Sequence, residues 1–226
     1  MIKDYISDAI EIISKNDRGG YTIPTSKLYP YQWNWDSAFT ALGLSTFNRW
    51  RAWIEISTLL DGQWNNGMLP NIIFRQNDPD YFPGPEEWLS KTEPPSSGHS
   101  QPPVLASVVW QLVRRGTRYD IDRAQKVFGS LLNYHRWFIE ARDPNKTGVL
   151  SVIHPWESGR DNSPEWDDAM DNISINNTLK GYNRRDTSHV ADNQRPTKKQ
   201  YDRFMTIVYF GRDNNWDDKT IFDNGP

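Results

Sequence analysis

The sequence predicts an all-α protein of stacked helical hairpins, with long loops gathered at one end of the helices. Three observations carry that expectation. Apolar residues recur at three- and four-residue spacing in segment after segment. No run alternates apolar and polar residues between hairpin turns, and no βαβ pattern is visible. The periodic segments are separated by long stretches rich in proline and aromatic residues, above all residues 62–98 with Pro70, Pro79, Pro83, Pro85, Pro94 and Pro95. Loops that long in a compact domain are functional or disordered, and Trp64, Phe74, Tyr81, Phe82 and Trp88 argue against disorder.

The elements follow in order. Ile2, Ile6, Ala9, Ile10 and Ile13 give a helix over 2–15, closed by Gly19-Gly20. A second helix starts near Asp36 with Ala38, Phe39, Leu42 and Leu44. A third runs from Asn48 to Leu60, with Trp50, Trp53, Ile54 and Leu59-Leu60 as its apolar side. Ser100 is expected to cap a helix that tolerates Pro102 and Pro103 in its first turn and stops at Gly116. Another helix covers about 120–141, a short one 165–172 and a longer one 197–212; no clear helix ends the chain. Residues 206–210 have strand propensity, but their helical setting favours helix.

Composition excludes several functions. The 226 residues carry a net charge of −3, so no basic footprint for nucleic acid appears, and no polybasic patch for a membrane. No apolar run is long enough to span a bilayer, and the first residues lack a secretory signal. Cysteine is absent, which removes disulfides and thiolate metal sites and fits a reducing, cytoplasmic setting. His99, His135, His154 and His189 show no metal-ligand spacing, and neither a metal nor another cofactor is expected. Asp143–Gly148 begins like a calcium loop, lacks the terminal glutamate and reads as a turn. The pairs Arg184-Arg185 and Lys198-Lys199 read as solvated. Tryptophan is abundant, at 11 residues, and much of it lies beside polar residues, as half-wet binding surfaces require.

Two segments concentrate chemistry. Residues 154–168 pack carboxylates, an arginine and two tryptophans between turn-formers. A glycosidic bond is cleaved by an acid that protonates its oxygen, beside flat apolar surfaces for the sugar. Asp161 is the candidate acid, with Trp156 and Trp166 available to desolvate it. The plainer reading is a loop with helix-capping acids. Arg160 serves either as a ligand contact or as the partner of Glu157 or Glu165. The second segment, Tyr29–Asp36, sets Trp35 before an aspartate at a helix start. Asp36 is an N-cap, a binder of sugar hydroxyls or a second catalytic carboxylate. Gln101 precedes Pro102-Pro103, where an amide can project into a cavity.

YPYQWNWDSAF at 29–39, GMLPNIIF at 67–74, SQPPVLA at 100–106 and HPWESGRDNSPEWDDAM at 154–170 together resemble the bacterial mannosylglycerate and glucosylglycerate hydrolases of glycoside hydrolase family 63. The ESGRD run also resembles the ESGWD signature of trehalases. The resemblance implies an (α/α)6 barrel, incomplete in this chain, and hydrolysis with inversion. It makes residues 1–226 the N-terminal part of one catalytic domain, with the likeness fading after about 213. It makes Asp161 the general acid and moves Asp36 to sugar binding with Trp35, beside Tyr29 and Trp33. Tyr81 would close over the site; Gln101, Trp156, Gly159 and Arg160 would line the sugar and glycerate pockets. Relatives often carry histidine at Asn71. Their general base, a far C-terminal glutamate, has no match here. A small saccharide is the expected partner, with self-association or a C-terminal half as further ones, since half a barrel exposes apolar surface. The alternatives are a trehalase-like α-glucosidase, a sugar-binding remnant without turnover, and a helical scaffold for protein partners.

Overall fold

The computed structural model describes residues 5–175, 179, 181–188, 191 and 194–226. Its helices are α1 (Tyr5–Asn16), α2 (Asn34–Leu44), α3 (Arg49–Leu60), α4 (Pro85–Trp88), α5 (Leu105–Arg114), α6 (Arg118–Arg142), α7 (Asp167–Asp171), α8 (Lys198–Asp213) and α9 (Asp218–Asn224). Two short strands, β1 (Gln32–Trp33) and β2 (Ile72–Ile73), pair antiparallel and have no counterpart in the sequence-based expectation. They staple the foot of α2 to the long 62–98 segment. Residues 206–210 are helical, inside α8.

The scaffold is a row of helical hairpins. α2 packs on α3 and α5, α5 on α6, and α6 on α9. Their facing sides bury Ala38, Ala41, Leu44, Ile56, Leu59, Leu105, Val108, Leu112 and Leu131 in one apolar cluster. Each comes from a helical stripe, and burying a side chain of that size stabilises by about 1.5–3 kcal/mol. α6 is the longest helix, at 25 residues. It opens with a capping box, in which Thr117 accepts from the Asp120 amide while Asp120 accepts from that of Thr117.

Four expectations are corrected. Trp50 is not on the buried side of α3; it is 61% exposed. The inward face is chosen by a buried ion pair instead, Arg51 to Glu55 at 2.9 Å, which Asp17, Thr22 and Ser37 complete with hydrogen bonds. Such a pair, once buried, must keep all its partners. Ser100 does not cap α5, which starts at Leu105 after both prolines. Its hydroxyl donates to the Leu69 carbonyl at 2.6 Å, and its amide donates to Glu157. The chain does end in a helix, α9, capped by Asp217, which accepts from the Thr220 amide at 2.8 Å. Arg184 and Arg185 are not solvated: they pair with Asp186 and Asp78, each at 2.6 Å.

Candidate active site

A second apolar cluster lies at the loop end of the hairpins. It is mostly aromatic: Tyr31, Trp33, Phe74, Tyr81, Trp88, Tyr201, Phe204 and Trp216. Above it opens a cavity of ≈ 270 Å³. Its wall includes Tyr29, Trp33, Trp35, Asp36, Tyr81, Gln101, Trp156, Gly159 and Asp161, nine of the ten residues singled out from the sequence.

The tenth, Arg160, is not part of that wall and takes the alternative the sequence offered, a pairing with Glu165. Its side chain points to solvent, 67% exposed, with Glu165 at 3.4 Å. Gly159 and Asp161 on either side face the cavity, so the turn directs Arg160 outward. Asp36 is likewise not an N-cap; Trp33 holds that position, and Asp36 is the third residue of α2.

The local sequence explains the placement of each group. Trp35 and Asp36 stand in the first turn of α2. The Trp35 amide, free of any intrahelical acceptor, donates to Gln101 Oε1 at 3.2 Å. That bond ties the 100–103 segment to the sheet end of α2. The segment carrying Asp161 starts with His154, whose Nδ1 accepts from the Trp156 amide at 3.0 Å while Nε2 donates to the Phe204 carbonyl at 3.2 Å. A 3₁₀ turn, Pro155–Ser158, follows and ends on Gly159 at φ +67°. A Cβ on Gly159 would stand 2.7 Å from the Trp35 ring, so this glycine allows the acid loop and the α2 foot to touch.

Below the turn, Glu157 anchors the loop. It accepts a fork from Arg142 at 3.0 and 2.7 Å, and also the amides of Ser100 and Ile153. Arg142 reaches on to Asp218 of α9 at 3.3 Å. His99 and His154 stack at 4.6 Å between ring centroids, and burial lowers both, His99 to about 3. These histidines are neutral packing groups; His189 lies outside the described residues. Among the described residues, no cluster of three His, Cys, Asp or Glu is placed to hold a metal ion.

Burial raises the pKa of Glu55 in the scaffold and of two carboxyls of this cavity. Burial pushes Asp36 up to about 6, although the positive end of α2 favours its ionised form. Burial also raises Asp161 from its ordinary value, with Arg195 opposing it. Trp156 shares the cavity with Asp161, and Trp166 lines a neighbouring pocket that Asp161 also reaches.

Several wall residues carried no sequence signal: Leu28, Arg185, Asp186, Arg195 and Tyr201. Arg195 borders both pockets and donates to Tyr29 Oη at 3.3 Å. Its Nε is buried without a partner among the described residues. Arg185 lies over the Tyr81 ring at 5.8 Å and pairs with Asp78, holding the 76–83 loop against the aromatic cluster.

An aromatic cleft with two partly buried carboxyls, set at the loop end of helical hairpins, is the build of an α-helical carbohydrate-active domain. Comparison gives the family. Residues 29–225 match the model for the mannosylglycerate hydrolase MGH1-like glycoside hydrolase domain, and the chain belongs to that family. The match runs to residue 225, so the likeness does not fade at 213. A mannosylglycerate hydrolase from Thermus thermophilus is 45% identical over 223 residues, 96% of this chain and 54% of that protein. Glucosylglycerate hydrolase from Mycolicibacterium hassiacum is 37% identical over 228 residues, 94% and 51% of the two lengths. The chain thus spans about half the length of the curated relatives it matches. A crystal structure of a family 63 mannosylglycerate hydrolase with Tris, from a second strain of T. thermophilus, superposes with a TM-score of 0.93 at 43% identity, over 97% of this chain and 53% of that one. The hairpins described above are therefore those of the (α/α) toroid fold.

Proposed function

We propose that residues 1–226 form the N-terminal part of a single (α/α)6 catalytic domain, an inverting hydrolase of small α-linked glycosides such as glucosylglycerate or mannosylglycerate. The observation that carries this reading is Asp161: a carboxyl raised by burial, in one cavity with Trp35, Asp36, Gln101 and the cation Arg195.

In this reading the sugar stacks on Trp35, and Asp36 and Gln101 bind its hydroxyls. Tyr29, Trp33, Tyr81, Trp156 and Gly159 shape the pocket. Asp161 delivers its proton to the glycosidic oxygen as the bond from that oxygen to the anomeric carbon breaks. Water attacks that carbon from the opposite face and gives its proton to a general base, which the reading assigns to no residue of this chain. Arg195 then suits the carboxylate of the leaving glycerate, through the guanidinium nitrogen that lacks a partner among the described residues. Relatives' structures support an aglycone and a sugar of this kind: one T. thermophilus hydrolase structure holds D-glycerate with Tris, another glucose.

The test is to incubate the chain with glucosylglycerate, mannosylglycerate and trehalose and to measure both binding and released sugar. Binding of a glycerate glycoside is the expected result, with release slowed by about 10²–10⁴ for want of the base. Asp161→Asn should lower release by about 10²–10⁴ and leave binding within a fewfold. Undiminished release from that variant removes Asp161 from the acid role. Release from trehalose alone would favour the trehalase-like reading, and binding without release a remnant.

A further inference from the structure

The longest helix presents a face that lies exposed among the described residues. α6 buries Leu131, Tyr134, Trp137, Phe138 and Ala141, packing against α3, α5 and α9. The face turned away carries Ile121, Gln125, Phe128, Leu132, His135 and Ile139, spaced by four and three residues in turn. That alternation is the seam of a coiled coil. Its apolar members are exposed, Phe128 by 64% and Ile139 by 60%. Single apolar residues on a surface need no explanation, but a regular seam along most of a 25-residue helix does.

Three features identify what covers it. The seam is symmetric about residue 130. An antiparallel pair of α6 helices crossed by a two-fold axis at that point sets Ile121 against Ile139, Gln125 against His135 and Phe128 against Leu132, each pairing occurring twice. The flanks agree in charge, because the same operation brings Asp122 of each copy beside Arg136 of the other. Asp122 already pairs with Arg118 at 2.8 Å on the open surface, a contact worth at most about 1 kcal/mol and no obstacle to a second cation. Finally, Gly129 stands mid-helix, where glycine costs about 1 kcal/mol relative to alanine. A Cβ there would meet nothing within 4 Å, so packing among the described residues gives no reason for it. Close approach of a second helix beside the axis does.

We propose that two copies of this chain pair through the outer face of α6, antiparallel, about a two-fold axis at residue 130. The proposal is independent of the hydrolase reading. A seam this size, roughly 28 Å long, falls short of the roughly 1,200 Å² that a stable interface buries, so the dimer is weak, with a dissociation constant in the micromolar range.

Sedimentation equilibrium across that range tests it. A monomer–dimer equilibrium is expected, and Phe128→Asp should leave only monomer with an unchanged melting temperature. Asp122→Arg and Arg136→Asp should each weaken the dimer roughly tenfold by opposing like charges, and the double reversal Asp122→Arg/Arg136→Asp should restore it. That recovery separates α6 pairing from adhesion through other apolar surface. A chain that stays monomeric throughout, a dimer indifferent to Phe128→Asp, or a double reversal no better than the single ones overturns the proposal. Should Phe128→Asp fail to fold, the charge variants at exposed positions decide the matter alone.

Discussion

The two apolar clusters of this chain are held by different rules. The scaffold cluster is largely aliphatic and regular, its members Ala41, Ile56, Leu105 and Leu112 each one position in a helical stripe. The cleft cluster is aromatic and irregular, drawn from residues as far apart as Tyr31 and Trp216. Most of its members need directional partners as well as burial, a need that only the few aromatic residues of the scaffold cluster share, such as Trp53 with Asp120 and Tyr134 with Asn34. Trp88 Nε1 donates to the Pro83 carbonyl at 3.2 Å, and Trp216 Nε1 to the Trp88 carbonyl at 2.9 Å. Non-directional burial tolerates exchange of one apolar side chain for another, whereas a bonded aromatic loop does not. The cleft is therefore the more specified and the more breakable region.

The two are joined at the Arg142–Glu157 pair, which ties the C-terminal end of α6 to the acid loop, and the largest effect is expected there. Glu157→Ala strands a fully buried guanidinium with Asp218 as its remaining carboxylate. It also leaves the Ser100 amide without its acceptor. A loss of about 3–5 kcal/mol in urea unfolding is expected, against a much smaller one for the paired replacement Arg142→Met/Glu157→Met, which buries no charge. Equal losses for both would show that the ion pair does not join the regions.

The next effect is smaller and depends on pH. Burial holds the Asp36 carboxyl at about 6, above its ordinary 3.8, so the folded state keeps this proton longer than the unfolded chain does. The stability it contributes is complete below 3.8 and is lost as pH rises through 6. Asp36→Asn cannot ionise. It should match the parent chain near pH 4 and be more stable by about 3 kcal/mol at pH 7–8, and, under the proposed function, lose sugar affinity. A variant equally stable at both pH values would mean that the carboxyl is not desolvated.

The same division decides what the sequence can show. α3, α6 and α8 are legible because each repeats its apolar positions over three or more turns. α9 escapes sequence reasoning because it is short and buries Ile221 alone. Trp50 reads as inward when size is weighed and charge is not; the inner face belongs to Arg51 and Glu55, whose pairing depends on Asp17 and Thr22 outside the helix. In the cleft, Trp35, Asp36 and Asp161 stand out because indoles and acids crowd within a few positions. Arg195 sits in no such crowd, and only the folded chain brings it to Tyr29. Arg160 shows the reverse failure, since residue type marks a group as useful and the turn alone decides where it points.

The smallest effect isolates the contact between the α2 foot and the acid loop. Gly148 and Gly159 both have positive φ, +82° and +67°. Alanine at either position costs about 1 kcal/mol of backbone strain. The surroundings differ: a Cβ on Gly148 meets nothing within 4 Å, and one on Gly159 runs into the Trp35 ring. Gly148→Ala should thus lose about 1 kcal/mol by thermal melting, and Gly159→Ala more, because it must also displace the Trp35 ring. Under the proposed function, sugar affinity should stay unchanged in the first and fall about tenfold in the second, as a displaced indole would no longer match a sugar face. If calorimetry finds the two variants equal in affinity, Trp35 does not depend on the acid loop for its position, and the cleft is a set of independent loops rather than one bonded unit.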